Sequence, residues 1–166
     1  MDDRHVAMCN SLFEFLLFQF TYDLRNNLTQ ITDAAGNTTI FTYNAAGRLI
    51  KRTDSEGKIR SYEYDRNNRL VKEIRPEGQQ TVYEYDNAGN LAVKVDAKNQ
   101  KTAYGYDDAG RLTEIRYFAA TDHDNALKTV AFSYNRAGNL TGYDDGITSA
   151  FYAYDDLHRK LSEAVN

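Results

Sequence analysis

The chain has 166 residues and a net charge of -4, with 27% charged and 13% aromatic residues, a size that suits one compact domain or a short run of repeats with little core to spare. Both charge signs alternate along the sequence, which argues against a nucleic-acid groove or a polybasic membrane patch. A lone cysteine, Cys9, excludes an internal disulfide and leaves no second thiol for a metal knuckle or a redox pair.

Residues 12–20, Leu12-Phe13-Glu14-Phe15-Leu16-Leu17-Phe18-Gln19-Phe20, have the apolar density of a signal-peptide core. Asp2 and Asp3 precede them, Glu14 and Gln19 interrupt them and no small-residue cleavage site follows, so no signal peptide is read here. The stretch is also too short to span a bilayer. Phe18, Phe20 and Tyr22 alternate with Gln19 and Thr21, the pattern of a strand. Residues 1–19 therefore read as a non-repeat lead-in, with Cys9 a tolerated thiol.

From there one phrase returns seven times, clearest at Tyr83-Glu84-Tyr85-Asp86-Asn87-Ala88-Gly89-Asn90-Leu91. Its second aromatic falls at Tyr22, Tyr43, Tyr64, Tyr85, Tyr106, Tyr134 and Tyr154, five copies 21 residues apart and then intervals of 28 and 20. A fixed period of this length marks a repeat architecture. Seven repeats are assigned to residues 20–161, with 162–166 as a tail.

Each repeat holds two polar clusters about ten residues apart, and the segments between them alternate as half-buried strands. The first cluster opens with Asp or Asn every time and closes with Gly, Asn or, once, His158, as a type I turn followed by a left-handed residue requires. The second, as in Asp33-Ala34-Ala35-Gly36 or Arg75-Pro76-Glu77-Gly78, links one hairpin to the next. The fifth repeat replaces this turn by a longer loop, roughly 118–128, and the sixth shortens it to Asp144-Asp145-Gly146. The expected fold is all-β, a repetitive antiparallel hairpin meander.

A bulged hairpin register sets Tyr85 against Leu91, Tyr83 against Val93 and Thr81 against Val95, and likewise Tyr43 against Leu49, Tyr64 against Leu70, Tyr106 against Leu112 and Tyr134 against Leu140. Each such pair contributes roughly 0.2–1 kcal/mol over an alanine pair. The other face is expected to carry Thr42 and Ile50, Glu63 and Val71, Glu84 and Lys94, and Ser133 and Thr141, a mixed set suited to partial solvent contact. A meander of this kind ends in unpaired edges, which points to a longer array or to self-association.

Tyr104-Gly105-Tyr106-Asp107-Asp108-Ala109-Gly110-Arg111-Leu112 resembles, at every fixed position, the repeat of the YD-repeat or Rhs (rearrangement hotspot) family found in bacterial Rhs effectors and Tc toxin shells. Phe41-Thr42-Tyr43-Asn44-Ala45-Ala46-Gly47-Arg48-Leu49 departs only by Phe for Tyr and Asn for Asp. The resemblance implies a β-strip that spirals into a hollow shell around a toxic domain, and a secreted or cell-surface location. Its partners would be a toxin domain or another YD-repeat chain. The Asp-Pro-x-Gly elements of family autoproteolysis have no counterpart, since the one proline is Pro76. The chain is thus expected to be a wall segment without cargo.

No catalytic, cofactor or metal residues are assigned. The recurring acids have a sufficient explanation in turns, His5, His123 and His158 are scattered, and Asp122-His123-Asp124-Asn125 reads as a solvated loop tip in preference to a divalent-ion site. A second function class is adhesion: Tyr62, Tyr83, Tyr104 and Tyr152 could stack on sugar faces if exposed, whereas core packing would bury them.

Overall fold

A computed structural model of the chain describes His5–Ala7 and residues 18–166. The expectations for Cys9 and for residues 12–17 lie outside the described residues. Every described element is a strand. The strands fall into two compact units, Met1–Gln80 and Thr81–Asn166.

The first unit carries β1 (His5–Ala7), β2 (Phe18–Tyr22), β3 (Leu28–Thr32), β4 (Thr38–Tyr43), β5 (Leu49–Thr53), β6 (Ile59–Tyr64) and β7 (Leu70–Ile74). The second carries β8 (Gln80–Tyr85), whose first residue is at the boundary, then β9 (Leu91–Val95), β10 (Lys101–Tyr106), β11 (Leu112–Ala119), β12 (Asp122–Tyr134), β13 (Leu140–Asp144), β14 (Ser149–Tyr154) and β15 (Lys160–Val165). Within each unit successive strands pair antiparallel in chain order. Local connections explain this order: each loop closes before the next strand has to find a place.

Both turns of a repeat are built alike. Asp86 N–H donates to the Asn90 carbonyl and Gly89 N–H to the Asp86 carbonyl; Asp33 with Asn37 and Gly36 repeats the pattern in the linking turn. The closing residue has positive φ, 95° at Gly89 and 85° at Gly36, a region where glycine carries no Cβ penalty. Asn26, Asn68, Asn99 and His158 take that position elsewhere, and of these His158 is the least suited.

Tyr85 pairs with Leu91, and Tyr43, Tyr64, Tyr106 and Tyr134 with Leu49, Leu70, Leu112 and Leu140, as expected. One step further the expected register fails. Glu84 pairs with Val93, Tyr83 with Lys94 and Val82 with Val95, so Tyr83 does not face Val93, nor Thr81 Val95. Thr42 faces Lys51 and not Ile50, and Glu63 faces Lys72 and not Val71. The cause is a second bulge in each hairpin, immediately after the tyrosine pair, where Ala92, Ile50 or Val71 is the extra residue. A bulge of this kind sharpens the local twist and shifts every later side chain by one position.

The segment 118–128, expected as a loop, is mostly strand. β11 runs to Ala119 and β12 starts at Asp122, with two register shifts absorbing the added residues. Phe118 and Val130 are among the few buried apolar side chains of the described residues, with Ala103 and Ala150, which accounts for the pairing persisting there. No described side chain is completely buried. Stability here comes from ladder bonds and cross-strand pairs in a single layer, not from an enclosed core.

Candidate functional site: the tyrosine face and its turns

The turn aspartates are saturated by their own backbone. Asp107 Oδ1 accepts the N–H groups of Ala109 and Arg111, and Oδ2 accepts Arg111 Nε at 2.7 Å. Asp65 does the same with Asn67 and Arg69, while Asp86 uses Asn90 Nδ2. The fifth residue of the turn is Asn27, Arg48, Arg69, Asn90, Arg111, Asn139 or Arg159 in the seven repeats, each able to donate back to the opening side chain. The Arg111 side-chain bond, followed by the backbone bonds, holds the Asp107 carboxyl below its ordinary value of 3.8. Asn90 does the same for Asp86, and the Arg69 N–H leads at Asp65.

The tyrosines fasten one repeat to the one before. Tyr43 donates its hydroxyl to the Leu28 carbonyl at 2.8 Å, Tyr64 to Leu49 at 2.9 Å, Tyr106 to Leu91 at 3.1 Å and Tyr134 to Leu112 at 2.9 Å. Burial raises the hydroxyl pKa of Tyr43, Tyr64 and Tyr106 above the usual value, so they remain donors at neutral pH. Arginines add a second fastening: Arg25 Nη1 reaches the Ala45 carbonyl at 2.6 Å and Arg111 Nη1 the Asn135 carbonyl at 3.0 Å.

Tyr62, Tyr83, Tyr104 and Tyr152 are all half-buried. Their cross-strand neighbours are Glu73, Lys94, Ile115 and Glu163, and Lys160 Nζ lies 5.5 Å from the Tyr152 ring centroid. These rings lean on neighbours of their own face without being enclosed by a second layer.

The 122–125 segment is occupied by internal bonds. Asp122 accepts the N–H groups of Asp124 and Asn125 and the Asn125 side-chain amide. His123 Nε2 lies 2.8 Å from the Asn99 carbonyl, where it donates, and Asn99 Nδ2 reaches the Ala120 carbonyl at 2.7 Å. The hairpin tip is thereby tied to the β9–β10 turn. Among the described residues no three His, Cys, Asp or Glu side chains converge as metal ligands would. His158 contacts Asn139.

Two features escape a reading by period. Asp145, in the shortened sixth turn, accepts Lys128 Nζ at 2.7 Å together with the Ile147 and Thr148 N–H groups. These bonds, the Lys128 one foremost, hold its carboxyl far below the usual range. Beside this pair Ile115, Tyr117, Leu127, Val130, Phe132 and Tyr143 line an open apolar groove. The repeat spacing breaks here, so no neighbouring copy supplies a template; only the unusual length of the fifth repeat marks the place.

Tandem hairpins joined to the repeat before through Tyr43, Tyr64, Tyr106 and Tyr134 define a β-repeat strip. The RHS Repeat family model matches residues 22–59, 43–80, 64–98 and 85–122, and the chain belongs to this family. No curated protein matches it. Among solved structures it is similar to the TcdB2-TccC3-TEV crystal structure, with TM-score 0.73 and 17% identity over 96% of this chain. It is also similar to TcdB2-TccC3 without the hypervariable C-terminal region, with TM-score 0.65 and 21% identity over 92%. The pore form of the Photorhabdus luminescens Tc holotoxin matches with TM-score 0.65 and 21% identity over 96%. The chain spans 9% of the length of each of these neighbours. Likeness at this identity is likeness of fold.

Proposed function

We propose that the chain is a structural wall segment of an Rhs-type shell, in a secreted or cell-surface toxin, and that it acts by enclosing or presenting a cargo domain. The observation that carries this reading is the hydroxyl bond that Tyr43, Tyr64, Tyr106 and Tyr134 each make to a leucine carbonyl of the repeat before. Groups that an enzyme would keep free are committed here to building a sheet, and the turn acids are committed to their own backbone. The chain supplies continuity and a surface, without catalysis of its own. Its partners are a toxin domain and further YD-repeat sequence.

Limited proteolysis of the protein from its native source tests this. An enclosed polypeptide should resist digestion at neutral pH and become sensitive once the wall is opened by acid. Equal digestion under both conditions would remove the reading.

Half-buried Tyr104 and Tyr152 support a second reading, adhesion to glycans through Tyr62, Tyr83, Tyr104 and Tyr152. A glycan array separates the two: saturable sugar binding lost in Tyr104→Ala and Tyr152→Ala would favour adhesion, and a blank array leaves the wall.

A further inference from the structure

We infer that the groove of the fifth repeat is a docking site for an extended polypeptide segment that presents an apolar side chain beside a carboxylate; this rests on the wall reading above, the segment belonging to the enclosed chain. Ile115 faces Val130, Tyr117 faces Lys128 and Phe132 faces Tyr143, so these side chains share one face of three neighbouring strands. Tyr104 faces Ile115, which makes that face the tyrosine face. The Phe132 and Tyr143 ring centroids lie 5.8 Å apart, and the groove over them measures about 560 Å³.

The fold does not require this groove. In the four repeats before it, Ile31, Arg52, Glu73 and Lys94 hold the place of Ile115, each facing the first aromatic of its repeat. Two residues on, Asp33, Asp54, Arg75 and Asp96 open a four-residue linking turn. The fifth repeat has Tyr117 there, and β11 continues to Ala119. The longer hairpin brings apolar side chains to the surface. Leu127, the extra residue between the Tyr117–Lys128 and Phe118–Ala126 pairs, lines the groove and is 73% exposed, and Tyr117 is 41% exposed. Contiguous exposed apolar surface of this kind marks an interaction site.

The polar groups fix the chemistry of the occupant. Asp145, the carboxylate beside the groove, accepts Lys128 Nζ, the Ile147 and Thr148 N–H groups and the Tyr143 hydroxyl, which fills its acceptor sites. Lys128 has three ammonium N–H groups and gives one of them to Asp145; its side chain is 41% exposed. The rim therefore supplies donors and the occupant supplies the acceptor, for which a carboxylate is the strong partner of an ammonium group. The floor of Ile115, Val130 and Phe132 takes an apolar side chain. The open form of the groove decides between a free molecule and a chain. Small-molecule sites bury roughly 70–90% of their ligand, whereas this groove lies open across three strands. An extended segment brings flanking residues that cover what the groove leaves exposed.

Photo-cross-linking in the protein produced in its native source tests this, with p-benzoylphenylalanine replacing Leu127. One cross-linked segment outside the repeats is expected, in which apolar residues flank an Asp or Glu, as read by mass spectrometry of the digested product. Phe151 is 55% exposed on the other face, and the same photoreactive residue there should give no such product. Lys128→Gln keeps most of the stem and removes the charge; it should lower the yield about fivefold, the loss of one hydrogen bond, with cargo protection unchanged. No cross-link from the Leu127 site, products spread over many segments, equal yield from the Phe151 site, or a yield indifferent to Lys128→Gln overturns the inference. So does a product that joins two copies of this chain. Cargo that resists digestion without a cross-link at the Leu127 site removes this inference only. A single cross-linked segment that is digested equally at neutral and acid pH removes the enclosure only.

Discussion

At Asp107 one carboxylate does three things: it accepts two backbone N–H groups of its own turn and the Arg111 guanidinium. Surface ion pairs contribute little in water, so the backbone bonds matter more, and Arg111→Ala should shift the melting temperature far less than Asp107→Ala. The pH dependence has a definite sign. Asp23, Asp33, Asp65, Asp86, Asp107 and Asp155 are all held below the ordinary 3.8 of the unfolded chain. Their contribution is full above that value and is lost as pH falls through the lower folded values. Acid titration followed by circular dichroism should show unfolding below pH 3.8, made shallower by Asp107→Asn. Gly110 has φ of 75°, and a Cβ added there would meet nothing within 4 Å, so Gly110→Ala should cost about 1–2 kcal/mol in urea unfolding through backbone strain alone. Tyr106→Phe keeps the ring and loses the bond to Leu91, a cost of about 1 kcal/mol in the same measurement.

At the scale of the hairpin, the decisive feature is a pair of bulges in tandem. The first lies in the turn and is written in the sequence, since Asp86 and Gly89 are residue types that such a turn selects. The tyrosine–leucine pair beside it followed directly. The second bulge has no such signature: Ile50, Val71 and Thr113 hold the place with β-branched side chains that are common along any strand, and Ala92 with a methyl, because the bulge is selected by twist and not by a dihedral that one residue favours. The tyrosine hydroxyl bonds were equally illegible, as their acceptors are main-chain carbonyls and leave no trace in residue identity. The Arg or Asn closing every first turn was visible as a period but carries meaning only once Asp107 and Arg111 are seen in contact. Deleting Ala92 should remove the bulge and leave Val93, Lys94 and Val95 opposite Glu84, Tyr83 and Val82, so hydrogen-exchange protection of β8 and β9 should persist while the local twist relaxes; loss of that protection would contradict this assignment of the bulge.

At the largest scale, no described side chain of either unit is fully buried, so each unit depends on what lies against the faces of its strands. Leu157, Leu161 and Val165 are all exposed at the β15 end, and the Ile115–Tyr143 groove adds apolar surface within the second unit. In the wall proposed above, enclosed chain would cover such apolar surface. Cryo-electron microscopy of the protein purified from its native source tests this most directly. The account predicts a hollow particle in whose wall residues 20–161 run as antiparallel strands in chain order, with density for cargo inside; a free strip with both faces open to solvent would contradict it.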